Sequence, residues 1–269
     1  MAETRYRGRI APTPSGYLHA GHLATFAIAW QRARAANGQI LYRCDDLDRT
    51  RCKPEYDAAA RQSLQDAGLD WDEGPDIGGP HAPFLQSQRQ DQYLRAWHQL
   101  RASFHIYPSP HSRKDVQEAL SAPHPEGREP VFPRELRQGK AETAAYSEPS
   151  EVNWRFQVPD GTPVTFEDGR CGHQQFIAGE DFGDFLVWRK DGFPSYELAT
   201  VVDDHEMGIT EVVRGEDLLL STARQILLYQ ALGWTPPAWF HTELIRDAAG
   251  KRLAKRQQQN SKSRRSVKP

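Results

Sequence analysis

Apolar positions repeat with two different periods along the first hundred residues of the chain. Short apolar runs have the length and composition of buried strands, and longer stretches repeat apolar residues at helical spacing. The strand-like runs are residues 6–11 and 39–44, and the helical stretches are residues 21–36, 54–67 and 88–102. Asn37 with Gly38, and later Gly68, follow the first two helical stretches as stop signals. This β-α-β-α order predicts a parallel, doubly wound α/β sheet, in which ligands bind at the carboxyl ends of the strands.

Proline becomes dense and the apolar periodicity fades over residues 104–150, where we expect an insertion with a short helix over 113–120 and a mobile stretch over 121–150. The later predicted strands are 152–158, 164–167, 184–190, 210–214 and 241–245, with turns at 166–169 and 190–192 and helices at 196–206 and 221–232. Ser221 is the expected N-cap of the last helix and Gly233 its stop. The pattern therefore predicts a core in two halves, a smaller α+β subdomain between them and a basic tail. These parts are residues 1–103, 191–256, 104–190 and 257–269 respectively.

The amino-acid composition is typical of a globular, cytoplasmic protein. Hydrophobic residues make up 38% of the chain and charged residues 26%, and no apolar run approaches the roughly 18 residues of a membrane helix. Three cysteines without paired spacing predict no disulfide framework. The net charge is only −2, but residues 251–269 carry eight lysines and arginines and no acid. Such a segment either attracts a polyanion or is a solvated, disordered terminus.

The first motif with chemical potential lies between the first strand and the first helix. Residues 9–22 read Arg-Ile-Ala-Pro-Thr-Pro-Ser-Gly-Tyr-Leu-His-Ala-Gly-His. A helix start offers free backbone N–H groups and a partial positive charge, and Gly21 lets a phosphate or a flat ring approach closely. The imidazoles of His19 and His22 can donate hydrogen bonds to phosphoryl oxygens, and Arg9 can bind a carboxylate. The pattern indicates an ATP site, against the alternative of two exposed histidines at a helix start.

Two further motifs are charged loops. Residues 43–51 (Arg-Cys-Asp-Asp-Leu-Asp-Arg-Thr-Arg) place three carboxylates and three guanidinium groups just past the second strand, where an acid could hold an ammonium group or order neighbouring basic residues. Residues 250–256 (Gly-Lys-Arg-Leu-Ala-Lys-Arg) could close over a triphosphate. Each loop, taken alone, is also compatible with a solvated surface.

Taken together and in this order, the three motifs resemble the "HIGH" and "KMSKS" signatures of class I aminoacyl-tRNA synthetases. The residues flanking them, and Val-Val-Arg-Gly-Glu-Asp-Leu at 212–218, narrow the resemblance to the glutamyl/glutaminyl branch. The resemblance spans roughly residues 5–256 and implies a Rossmann-like core of the HIGH-type nucleotidyltransferases. Because the chain ends thirteen residues after Arg256, we expect no anticodon-binding domain. The chain is then most similar to the stand-alone catalytic-domain paralogues of that branch, which glutamylate an anticodon base.

The resemblance implies ATP-dependent activation of L-glutamate and its transfer to the queuosine base of tRNA(Asp), by a monomer that uses Mg²⁺ with its ATP and no membrane. The implied glutamate-binding residues are Arg9, Ala11, Thr13, Asp45, Tyr196 and Arg214. The implied ATP-binding residues are Pro12, His19, Gly21, His22, Arg252, Leu253 and Lys255. In the family's chemistry, His19 and His22 would stabilise the α-phosphate during attack, and Lys255 would hold the leaving pyrophosphate.

Three departures from the family pattern bear on these expectations. Asp45 stands where the family has a longer glutamate, and Ala254 and Arg252 replace the serine and the first lysine of KMSKS. The family's zinc ligands are replaced at Ser109, His111, Phe132 and Leu136. A hydroxyl, a phenyl and an isobutyl group cannot take over from thiolates and a phenol, and one histidine cannot hold zinc alone. We therefore predict that structural zinc is absent and that residues 109–140 are comparatively mobile.

Three other functions are compatible with the sequence. A truncated glutamyl-tRNA synthetase would charge a tRNA 3′ end. Another HIGH-type nucleotidyltransferase would activate a small carboxylate. A non-catalytic paralogue would bind tRNA or ATP without turnover.

Overall fold

A computed structural model of the protein describes residues 5–111 and 131–245. The described residues divide into two compact units. The first unit contains residues 5–88, 208–218 and 237–245, and the second contains residues 89–111, 131–207 and 219–236. Within these ranges, no helix combines the length and the hydropathy needed to cross a bilayer.

The elements of the described residues follow in chain order. The strands are β1 (Arg7–Ile10), β2 (Gln39–Tyr42), β3 (Ile106–Ser109), β4 (Asn153–Phe156), β5 (Pro163–Asp168), β6 (Gly172–Ile177), β7 (Phe185–Trp188), β8 (Glu211–Gly215) and β9 (Ala238–Thr242). The α-helices are α1 (Ala20–Ala35), α2 (Pro54–Asp66), α3 (Gln90–Ala102), α4 (Lys140–Ala144), α5 (Tyr196–Glu206) and α6 (Leu219–Leu232). Short 3-10 turns lie at Gln86–Gln88, Arg134–Leu136 and Glu216–Leu218.

The first unit is built from parallel strands, as the sequence pattern predicts. β1 pairs with β2 from Arg7 opposite Gln39 onwards, and β8 pairs with β9 in the same parallel sense. The N–H of Thr210 donates to the Arg7 carbonyl at 2.9 Å, which places β8 beside β1. α1 buries Ala29 and Ala33 on one face, four residues apart, against this core. The carboxyl ends of β1, β2 and β8 consequently share one edge.

The predicted stop after α1 is confirmed. Asn37 adopts a left-handed φ of 49°, and the Gly38 N–H donates to the Ala33 carbonyl at 2.8 Å. A Cβ on Gly38 would lie 2.5 Å from the Tyr6 carbonyl oxygen, so only glycine fits where the chain turns into β2.

The second unit combines helices with antiparallel strands. β3, β4 and β7 form one sheet in that order, and β5 and β6 form a hairpin. The indoles of Trp97, Trp154 and Trp188 are fully buried in it. β3 was not predicted because Pro108 interrupts it, yet β3 is an edge strand, where a missing N–H is tolerated.

Three predictions about local structure are corrected. The turn expected at 166–169 lies at 169–171, because the Asp168 carboxylate accepts from the Arg170 and Cys171 N–H groups and β5 continues to Asp168. Ser221 is not an N-cap, since its hydroxyl donates to Glu197 at 2.9 Å and α6 already begins at Leu219. The last strand occupies 238–242 rather than 241–245, and β6 was missed because its residues are largely polar and partly exposed. The expected helix over 113–120 lies outside the described residues.

Candidate active site

The loops that follow β1 and β2 meet at the carboxyl edge of the first unit. The Asp45 N–H donates to the Pro12 carbonyl at 3.0 Å. The Lys53 N–H, one residue before α2, donates to the Pro14 carbonyl, also at 3.0 Å. Two of the three motifs are therefore brought together as their positions after parallel strands predict.

His19 and His22 form a stacked pair at the start of α1. His19 is the N-cap, and its Nδ1 accepts the Gly21 N–H at 3.1 Å. His22 closes the capping box in return, because its Nδ1 accepts the His19 N–H at 3.4 Å. The two rings lie 3.7 Å apart at 24°. An accepting Nδ1 carries no proton, so each neutral ring has its hydrogen on Nε2, where it can donate to an anion.

Gly21 is required by the cap itself. A Cβ at this position would lie 3.0 Å from Cε1 and 3.1 Å from Nδ1 of His19, tighter than ordinary contacts. A larger residue would therefore push the imidazole out of its capping position. Gly21 keeps the histidine in place as well as leaving the helix start open to a ligand.

Two buried guanidinium groups lie on neighbouring strands of the same unit. Arg9, on β1, is 5% exposed, and its Nη1 donates to the Val213 carbonyl at 3.0 Å. Arg214, on β8, is equally buried, and its Nε donates to His241 Nε2 at 3.3 Å. The Arg214 guanidinium also lies 4.9 Å from the centre of the Trp239 ring. A carbonyl, an imidazole and an indole are thus among the groups that hold these two cations in place.

Asp45 is buried and anchored by a residue of its own motif. Arg43 is fully buried, and its Nε donates to Asp45 Oδ1 at 2.7 Å while its Nη2 reaches Oδ2 at 3.4 Å. This pair fixes the shorter carboxylate at the strand end. Arg43 therefore acts as a positioning residue for Asp45.

The other two acids of this loop, Asp46 and Asp48, make structural contacts with nearby side chains. Asp46 accepts the Ser87 N–H at 2.8 Å and the Ser87 hydroxyl at 2.6 Å. The hydroxyl of Thr50, and then the guanidinium of Arg51, lower the pKa of Asp48 to about 2. The contact between Asp48 and Arg51 matches the prediction that carboxylates here order neighbouring basic residues.

The remaining predicted residues are placed as follows. Ala11 and Thr13 are partly buried in the loop after β1, where the Thr13 carbonyl accepts the Ser15 N–H at 2.8 Å. Tyr196 belongs to the second unit, where it opens α5 after the N-cap Ser195 and is 43% exposed. Arg252, Leu253 and Lys255 lie outside the described residues.

Sequence reasoning missed three supporting residues: Arg43, Trp239 and His241. Their roles depend on pairing across the fold, as His241 stands opposite Arg214 in the parallel register of β8 and β9. The sequence shows a histidine and a tryptophan two residues apart, which could have pointed to them. Only the register of β8 and β9 shows that His241 lies opposite Arg214.

The positions of the family's zinc ligands do not fit a metal ion. Arg155 Nε donates to the Ser109 hydroxyl at 3.2 Å, and the Arg155 guanidinium lies 4.0 Å from the centre of the Phe132 ring. A cation thus already contacts two of the four positions. His111 would supply one ligand, and no group of three or more His, Cys, Asp or Glu side chains able to hold a metal occurs within 5–111 and 131–245.

We predict that tag-free protein contains well below one equivalent of zinc. The reason is the Arg155 cation among side chains that cannot ligate zinc. Elemental analysis of the purified protein measures the metal directly, and the melting temperature with and without a chelator is the control. One bound equivalent, or a melting temperature that falls on chelation, would contradict the prediction.

Comparison with known proteins places this site in a family. A family model described as the catalytic domain of class I tRNA synthetases (E and Q) matches residues 5–269. The Glutamyl-Q tRNA(Asp) synthetase of Nitratidesulfovibrio vulgaris is 44% identical over 254 residues, which cover 94% of this chain and 78% of that protein. The protein of the same name from Symbiobacterium thermophilum is 46% identical over 254 residues, covering 93% and 77%.

A solved structure extends the likeness to three dimensions. The glutamate tRNA ligase of Elizabethkingia meningosepticum, in complex with its amino acid, matches with a TM-score of 0.82 and 30% identity over 95% of this chain. The chain spans 53%, about half, of the length of that ligase. This likeness confirms the predicted α/β fold class with parallel strands. The chain therefore belongs to the class I tRNA synthetases of the E and Q type and, within them, to the Glutamyl-Q tRNA(Asp) synthetase family of ligase-type enzymes.

Proposed function

We propose that this protein activates L-glutamate with ATP and transfers it to the queuosine base in the anticodon of tRNA(Asp). The observation that carries the proposal is the pair of stacked histidines at the start of α1, both with Nδ1 accepting, in the same unit as the buried groups Arg9, Arg214 and Asp45. The names of its relatives support the amino acid and the acceptor. We further propose that it works as a monomer in the cytoplasm.

The charges in the first unit complement glutamate. The amino acid carries two carboxylates and one ammonium group, and the unit contains the buried guanidinium groups of Arg9 and Arg214 and the carboxylate of Asp45, which Arg43 anchors. Arg9 would bind the α-carboxylate side, Arg214 the side-chain carboxylate, and Asp45 the ammonium.

Activation needs positioning and charge stabilisation more than a protein nucleophile. An oxygen of the glutamate α-carboxylate attacks the α-phosphorus of ATP, its bond to the pyrophosphate breaks, and glutamyl-adenylate forms. Negative charge grows on the α-phosphate oxygens, where the Nε2–H groups of His19 and His22 and the first N–H groups of α1 can donate. By resemblance, Lys255 and Mg²⁺ would take the charge of the pyrophosphate. Cys44 is an unsuitable nucleophile, since burial raises the pKa of its thiol.

Transfer completes the reaction. A nucleophilic group of the queuosine base attacks the activated carboxyl carbon, AMP leaves with the bonding electrons, and the proton of the nucleophile passes to the leaving phosphate or to water. The products are the glutamylated base and AMP.

A transfer assay tests the proposal. The protein is incubated with ATP, labelled glutamate and total tRNA, isolated from cells with or without queuosine. We expect label only on queuosine-containing tRNA(Asp). Label on tRNA(Glu) would show 3′-end charging instead. Pyrophosphate exchange without transfer would indicate another carboxylate activator, and neither signal would indicate a binding paralogue.

A further inference from the structure

The second unit contains a cavity whose lining includes none of the residues assigned to glutamate or ATP. Its volume is about 260 Å³. Ile106 and Tyr107 of β3 are buried and form its apolar wall. Its rim carries Phe104, Gln138, Lys140 and Gln157. Drug-sized ligands occupy pockets of roughly 300–1,000 Å³, so this cavity suits a smaller, fragment-sized group.

Phe104 holds an unfavourable backbone conformation at the rim. It follows α3 with a φ of +55°, and the next N–H, of His105, donates back to the Leu100 carbonyl at 3.0 Å. Glycine or asparagine is the usual residue at such a helix end. The Phe104 side chain is nevertheless 41% exposed, so burial of the ring does not compensate fully for the conformation. Strained residues of this kind concentrate at ligand sites.

The rim also offers a cation and two amides. Lys140 Nζ lies 5.1 Å from the centre of the Phe104 ring, and no described carboxylate pairs with it. Arg137, by contrast, is fully engaged by Asp160 and Asp184 at 2.6–3.0 Å. The side-chain amides of Gln138 and Gln157 make no hydrogen bond to the described part of the chain. They remain available to the edge of a polar ring.

We propose that this cavity receives one unstacked base of an RNA, which stacks on the Phe104 ring while Lys140 binds a neighbouring phosphate. An exposed aromatic ring beside a cation is the arrangement that binds single-stranded nucleic acid. Free amide groups can read the edge of a splayed-out base, which loops present and duplexes do not. That the RNA is tRNA(Asp) rests on the proposed function.

Matched substitutions of Phe104 test the cavity. Binding of fluorescently labelled tRNA(Asp) is titrated without glutamate or ATP, with a duplex RNA of similar length as the competitor. Phe104→Gly should weaken binding roughly 5- to 150-fold, the usual loss of one base–aromatic stack. It should not lower the melting temperature, because glycine adopts a positive φ without strain. Phe104→Trp keeps the ring and should keep most of the affinity.

Lys140→Gln gives a second, independent variant. It should weaken binding and reduce the slope of log affinity against log salt by about 0.7, the value for one phosphate on a single strand. All three variants should retain glutamate-dependent ATP–pyrophosphate exchange. Three results would overturn the proposal. Phe104→Gly could bind tRNA with wild-type affinity, it could lose as much affinity as Phe104→Trp, or the duplex RNA could compete as well as unlabelled tRNA. If the wild-type protein showed no ATP–pyrophosphate exchange, the proposed function would be rejected. The tRNA-binding measurements would still test the cavity.

Discussion

Replacing His19 by asparagine should leave α1 capped and the protein at least as stable, yet lower glutamate-dependent ATP–pyrophosphate exchange roughly 100- to 1,000-fold. Asparagine is among the best N-caps, and its Oδ1 can accept the Gly21 N–H as Nδ1 does in the native protein. It cannot replace the Nε2–H donor that the capping role of Nδ1 leaves available. Loss of one such donor to a developing oxyanion costs about 100- to 1,000-fold in kcat. The KM for glutamate should change little.

His19→Ala is the matched control for this experiment. Alanine removes both the cap and the donor, so exchange should fall as in the asparagine variant while stability drops by about 1 kcal/mol. Thermal unfolding and exchange kinetics measured on the same preparations separate the two effects. Near-native exchange in His19→Asn would show that the histidine is a helix cap and nothing more.

Arg214→Gln should raise the KM for glutamate by roughly 30-fold or more and abolish the preference for glutamate over glutamine. Removing one partner of a buried, hydrogen-bonded charge pair costs about 2–5 kcal/mol, and Arg214 is 5% exposed. The substitution is to glutamine because the amide of the new side chain can still donate to His241. The pairing of β8 with β9 around this position is therefore preserved. Pyrophosphate exchange with each amino acid measures both effects.

Arg32→Gln is the control for loss of an arginine from the same unit. Arg32 pairs with Glu211 on β8 at 2.6 and 2.7 Å, so its removal should reduce stability without changing the KM for glutamate. If Arg32→Gln raised the KM as much as Arg214→Gln, the effect would be general loosening of the unit. If Arg214→Gln kept its preference for glutamate, Arg214 would not contact the side-chain carboxylate.

Much of the fold follows from local patterns. The apolar spacing predicts helix 196–206 with the bounds of α5, and the strands and helix of the β1-α1-β2 segment are found within two residues of their predicted ends. These elements are determined by burial on one face and by stop residues such as Asn37. The strands that were missed have a weak local signal: Pro108 interrupts β3, and the largely polar β6 forms as the second strand of a hairpin with β5.

The sequence predicts which loops of the first unit meet, but not the geometry of the side chains on them. Residues 9–22 and 43–51 each follow a parallel strand, which predicts that the two loops meet. The hydrogen bond from the Asp45 N–H to the Pro12 carbonyl confirms that they do. The sequence does not show that the two histidines cap each other, because a capping box normally uses hydroxyls and carboxylates. Nor does it show that Arg43 turns back to Asp45, since neighbouring charges in a loop more often face solvent.

The bond from Arg9 to the Val213 carbonyl joins residues 204 positions apart. Ribosomes add about 5–20 residues per second, so roughly 10–40 s separate the synthesis of β1 from that of β8. The nascent chain thus carries the His19–His22 turn long before Arg214 is synthesised. If Arg214 binds the side-chain carboxylate as proposed, an incomplete chain released from the ribosome before β8 has no complete glutamate pocket. Such a chain cannot hydrolyse ATP in a glutamate-dependent reaction.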